Sequence, residues 1–150
     1  MKDVTLSYSD MLIAAQAGLM RRIENVKKGN VSDKSPYNNK WQTDIEAALA
    51  EYALAKAIGR FWWGKGNPRD PDVYPNEECR HSEGHDNRLI LHKTDHDNRR
   101  YWLVTGRDGE YKVHGYILGR DGKKEEYWAD PTGKNFPAFF IPQNKLTTEW

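Results

Sequence analysis

The stretch Thr43-Asp44-Ile45-Glu46-Ala47-Ala48-Leu49-Ala50-Glu51-Tyr52-Ala53-Leu54-Ala55-Lys56-Ala57-Ile58-Gly59-Arg60-Phe61 decides the fold. It reads as a helix, and its six alanines between Ala47 and Ala57 let that helix lie close on a sheet. Thr43 or Asp44 can cap it, with Glu46 three residues after Thr43 completing a capping box. Neighbours three and four positions away place its two glutamates. Glu46 touches Gln42, Thr43, Leu49 and Ala50, a mixed margin suited to solvent. Glu51 touches Ala47, Ala48, Leu54 and Ala55, which sets a carboxylate in the middle of an apolar face. Burying a charge without a partner is expensive. Glu51 therefore requires a cation or a polar cluster opposite it, and Arg60, Arg80 and Arg88 are the candidates for an ion pair.

Upstream, Leu6, Met11, Leu12, Ala15, Leu19, Ile23 and Val26 recur in steps of three and four that read as an amphipathic helix. Ser7 and Ser9 are candidate caps, and Lys27-Lys28-Gly29-Asn30 marks the end. A polar connection from Gly29 to Lys40 and a loop from Gly64 to Pro71 flank the second helix. Beyond it, short strands are expected at Asp72–Tyr74, Glu78–Ser82, Arg88–His92, Arg100–Thr105 and Tyr111–Leu118, with a last edge segment at Phe139–Ile141. Leu89-Ile90-Leu91 and Trp102-Leu103-Val104 are continuous apolar runs, which suit strands covered on both faces. The expected fold class is α/β (α+β): one domain over residues 1–150, helical from about 6 to 61 and sheet-rich from about 72 to 142. Two N-terminal helices would pack on a mixed central β-sheet.

The chemistry is concentrated in Pro71-Asp72-Val73-Tyr74-Pro75-Asn76-Glu77-Glu78-Cys79-Arg80. If two strands leave the Pro75-Asn76 turn antiparallel, Asp72 and Glu78 project from one face, because strand side chains alternate. Two close carboxylates repel, and a divalent cation removes that penalty while supplying a Lewis acid. Hard oxygens favour Mg2+ or Mn2+. Arg80 lies two residues beyond Glu78, where its charge can stabilise a phosphate.

At these residues the chain resembles the PD-(D/E)XK (restriction endonuclease-like) nuclease superfamily, in particular its small phage-encoded type. The matching positions read Glu51, then Pro71-Asp72, then Glu78-Cys79-Arg80, and the resemblance spans about Trp41 to Leu118, including Arg88-Leu89-Ile90 and Tyr101–Val104. It implies a restriction-endonuclease-like core, phage origin, and metal-dependent hydrolysis of nucleic acid, DNA before RNA. Asp72, Glu78 and Glu51 would be the metal ligands, and Glu51, Asp72, Glu78, Arg80 and Lys93 the catalytic set. The superfamily usually has Lys where Arg80 stands, and a guanidinium does not give up its proton near neutral pH. Lys93 on the following strand is the candidate substitute. The alternative is an inactive member of the fold, acting as a nucleic-acid-binding or host-protein-inhibiting factor.

Composition bounds these readings. The 23 Lys+Arg and 22 Asp+Glu leave a net charge of +1, which excludes affinity for nucleic acid from bulk charge alone. No apolar run is long enough to span a membrane, no secretory leader is evident, and the one cysteine, Cys79, cannot form an internal disulfide. The expected location is cytoplasmic, that of the host if phage-encoded, and a homodimer or a protein partner stays open. Cys79, His81, His85, His92 and His96 contain two His-X3-His spacings, but in turn-and-strand sequence these do not converge on zinc. Trp62, Trp63, Trp102 and Trp128 can stack on bases or fill a core, the latter favoured in a chain that is 37% hydrophobic.

Overall fold

The computed structural model describes residues 1–29, 39–64 and 67–150. The polar connection after Gly29 lies mostly outside these residues, as do two positions of the loop after Gly64. The chain runs β1 (Lys2–Thr5), α1 (Tyr8–Lys27), α2 (Lys40–Ile58), β2 (Glu77–Ser82), β3 (Leu89–Leu91), β4 (Arg100–Arg107), β5 (Glu110–Leu118), α3 (Gly119–Gly122), β6 (Trp128–Ala129) and β7 (Ala138–Ile141). Among the described residues, no helix is long and apolar enough to cross a membrane.

Local chemistry sets the helix ends. Ser7 caps α1 in a capping box with Asp10, 2.9 and 3.1 Å in the two directions. α2 starts earlier than the Thr43 or Asp44 cap implies: Asn39 is the cap and accepts from the Gln42 amide at 3.2 Å. It also ends earlier than Phe61, because Gly59 takes the left-handed conformation, φ 67°, and breaks the hydrogen-bond ladder.

Four strands form a mixed sheet in the order β1-β5-β4-β2, where β2 runs parallel to β4 and the other pairs are antiparallel. The expected strand at Asp72–Tyr74 reduces to one bridge, Val73 to Glu77, on the outer edge of β2. β1 has a single buried residue, Val4, too little apolar pattern to read from sequence. The other strands form a separate antiparallel sheet, β3-β7-β6.

Two cores result. α2 covers one face of the mixed sheet, its Ala50, Ala53 and Leu54 packing with Trp102, Val104 and Val113. Tyr101, Leu103 and Ile117 pack on the other face with Leu89, Leu91, Phe139 and Ile141 of the second sheet. β4 is thus buried on both sides, as its apolar run implies. β3 is not: Leu89 and Leu91 are buried but Ile90 is exposed.

The two helices do not lie side by side on the sheet. α1 packs chiefly on α2, and the residues it buries are Ala14, Gly18 and Arg22, while most of its apolar row stays exposed. Gly18 explains the closeness, because a β-carbon there would come within 2.6 Å of Ile45 Cα and 2.7 Å of the Asp44 carbonyl.

Candidate functional site

The site is built around the outer edge of β2. Residues 72–77 fold back on that edge through Val73 and Glu77, which exchange backbone hydrogen bonds of 3.0 and 2.9 Å. Two residues along, the Cys79 amide donates to Asp72 Oδ2 at 2.8 Å, so Asp72 completes the edge with its side chain. The parallel register pairs Glu78 with Tyr101, Cys79 with Trp102 and Arg80 with Leu103. Cys79 therefore faces α2, whereas Glu78 and Arg80 face the second sheet.

This alternation separates the three carboxylates expected in one cluster. Glu51 lies on the helix side, Glu78 on the opposite side and Asp72 at the edge between them. Asp72 and Glu78 still come together: burial, then the Glu78 charge, pushes the Asp72 carboxyl up to about 7, and hydrogen bonding to Glu78 adds to the rise. The Asp72 carboxyl therefore keeps its proton well above the ordinary carboxylate range.

Glu51 is 7% exposed, as its apolar neighbours imply, but its partner is none of Arg60, Arg80 and Arg88. Arg21 of α1 reaches it with both terminal nitrogens, Nη1 to Oε1 at 2.9 Å and Nη2 to Oε2 at 2.7 Å. Trp62 Nε1 donates to Oε2 at 3.3 Å, and Arg21 Nη2 also donates to the Gly64 carbonyl at 3.2 Å. Burial still lifts the Glu51 carboxyl to about 6; Arg21 and Trp62 pull against it and Asp72 adds to it. The sequence carries a signal for Arg21: it lies three residues beyond Gly18, on the face that the small residues bring against α2.

Each remaining charge has a neighbour too. Glu78 pairs with Arg99, whose other terminal nitrogen donates to the Arg69 carbonyl at 2.7 Å. Arg80 donates to Asp95 Oδ1 at 2.7 Å and lies over the Tyr101 ring, 5.0 Å from its centroid. Asp95 Oδ2 accepts from the His92 amide at 2.8 Å, so one carboxylate closes a turn and fixes Arg80. Lys93 extends toward the second sheet, its Nζ 4.6 Å from the centroid of Trp128.

Of the three carboxylates, Asp72 and Glu78 are the two that could hold a magnesium or manganese ion, which is commonly bound through one or two carboxylates, water and substrate phosphate, although Asp72 Oδ2 already accepts from the Cys79 amide and Glu78 carries the Arg99 ion pair. Both Glu51 oxygens are taken by Arg21 and Trp62. Among the described residues, no group of three or more His, Cys, Asp and Glu side chains is arranged to hold an ion. Three of the five histidines bond to the sheet: His81 Nε2 lies 2.7 Å from the Gly106 carbonyl, and His85 and His114 each lie 2.7 Å from Thr105 Oγ1.

A groove beside the site is lined by Arg60, Phe61, Trp63, Tyr74 and Pro75. Phe61 is 79% and Trp63 62% exposed, and their rings meet edge to face with centroids 6.3 Å apart. Trp62, between them in sequence, is buried and holds Glu51, so the backbone that fixes the carboxylate also presents the two free rings. Trp102 is buried as well, packed against Tyr116. No family model, no curated protein and no solved structure matches this chain.

Proposed function

We propose that the protein hydrolyses phosphodiester bonds of nucleic acid, DNA in the first place, with Mg2+ or Mn2+ held by Asp72 and Glu78. The observation that carries this reading is the meeting of two carboxylates at β2, Asp72 held to the strand edge by the Cys79 amide and Glu78 beside it. A glutamate-bearing helix packed on a mixed sheet, with Asp72 preceding Glu78-Cys79-Arg80, supports a restriction-endonuclease-like core. Phe61 and Trp63 offer surfaces on which unpaired bases can stack.

The bound ion would supply a Lewis acid. Asp72, at the edge of β2, and Glu78, on its face toward the second sheet, would hold it. Arg80, fixed by Asp95 and Tyr101, contributes positive charge for the phosphate. Glu51, tied to Arg21, acts as a fixed charge in the wall of the site rather than as a third ligand.

That last observation favours one alternative, a nucleic-acid-binding or protein-inhibiting factor on the same fold. Incubation of single- and double-stranded DNA and RNA with Mg2+ or Mn2+ tests the choice. Cleavage lost in Asp72→Ala and Glu78→Ala supports hydrolysis, and cleavage persisting in both excludes this site. Binding without cleavage at any metal concentration favours the alternative.

A further inference from the structure

α1 is amphipathic in reverse. Its small residues face α2, while Leu12, Ile13, Leu19, Met20, Ile23 and Val26 are 40–62% exposed. Monomeric proteins seldom leave such a stripe open to water, and one marks an interaction surface. Its spacing indicates the occupant. Leu12, Leu19 and Val26 stand seven apart, Ile13 and Met20 likewise one position on, and Ile23 falls between. A seven-residue recurrence keeps its apolar row turned toward a second helix lying nearly along the first.

Charge placement disfavours a membrane. Arg21 turns inward to Glu51, and buried Arg22 lies 3.6 Å from Asp44, so the middle of the stripe lacks the basic border of a membrane-surface helix. The remaining cations, Lys27 and Lys28, sit at its C-terminal end, and Asp10 in its first turn. Parallel pairing of two copies would oppose Lys27 and Lys28 to themselves. Antiparallel pairing separates them and opposes the helix dipoles.

We propose that this stripe is the interface of a homodimer in which α1 packs antiparallel on α1 of a second copy. A two-fold axis through the middle of Tyr8–Lys27 sets Leu12 opposite Ile23 of the partner subunit and Gln16 opposite Leu19 of the partner subunit. One patch thereby complements itself, as a two-fold interface requires. The stripe shares no residue with the site at β2.

Sedimentation of the full chain across the micromolar range tests it. The expected particle has twice the 17.4 kDa of one chain. Leu19→Glu with Ile23→Glu should weaken association about a hundredfold or more, the scale of losing two central anchors. Both side chains already face solvent in the monomer, so the circular dichroism of this variant should match that of the wild type. For orientation, a Leu12→Cys, Ile23→Cys double variant should crosslink into dimers under mild oxidation, and neither single variant should. A monomeric wild type, or a dimer indifferent to the two glutamates, overturns the proposal. Crosslinking by Leu12→Cys alone overturns the antiparallel arrangement.

Discussion

Arg21 of α1 grips Glu51 of α2 with a two-pronged ion pair, 2.9 and 2.7 Å, inside the contact between the helices. Removing one member of a buried pair strands the other, so Arg21→Ala is expected to cost about 3–5 kcal/mol of stability at neutral pH. Glu51 without its fork protonates more readily in the folded state. The deficit should therefore shrink as pH falls toward 5, where the carboxyl is neutral in the folded protein. Denaturant unfolding at both pH values checks this, and a pH-independent deficit would contradict the assignment of the partner.

The Asp72 carboxyl, normally near 3.8, stands at about 7 in the fold. Between those values the folded chain keeps a proton that the unfolded chain has released, so the contribution to stability is present at low pH and is lost as pH rises to 7. Asp72→Asn should flatten this part of the profile and melt higher than the wild type at pH 8. Glu51, shifted the same way to about 6, keeps a residual slope in the variant. Manganese should raise the wild-type melting temperature at pH 8 and leave Asp72→Asn unmoved, as expected for a ligand specific to the native state. Equal slopes in the two proteins would refute the raised carboxyl.

Phe61 and Trp63 are exposed rings with little to lose in folding stability. If they stack on unpaired bases, Phe61→Ala with Trp63→Ala should weaken binding of a short single-stranded oligonucleotide by about 1–3 kcal/mol per stacked base. Melting should be unchanged. Titration by anisotropy, repeated with an oligonucleotide containing abasic positions, reads the effect, and equal affinity of wild type and variant for both would remove the groove from the site.

Gly18 makes the helix contact testable by size alone. Gly18→Leu drives a side chain into the backbone of residues 44 and 45, and overpacking of this kind costs about 1–3 kcal/mol. A melting temperature equal to that of the wild type would show that α1 does not approach α2 this closely.

The legible parts of the fold were those fixed by near neighbours. Residues three and four away put Glu51 on an apolar face, a continuous apolar run put β4 inside, and Asp108-Gly109, with φ of 56° and 88°, makes the tight turn between β4 and β5. What stayed hidden depended on distant partners. The apolar period of α1 announced a helix without saying which face turns inward, and the small residues Ala14 and Gly18 took the contact. The second sheet joins Leu89 to Ile141, a pairing no local pattern encodes. The same holds for the candidate site. The nearness of Asp72 to Glu78 was readable, but the parallel register that turns Glu78 away from α2 was not. Arg21, Arg99 and Asp95 were missed as partners because each arrives from another element.

β4 contributes Trp102 and Val104 to one core and Tyr101 and Leu103 to the other. Neither hydrophobic layer can therefore melt while the other stays intact, although no residue belongs to both. In native-state hydrogen exchange the amides of Trp102 to Val104 should open only with the whole molecule. Those of the two-residue strand β6, at the rim of the second sheet, should open first.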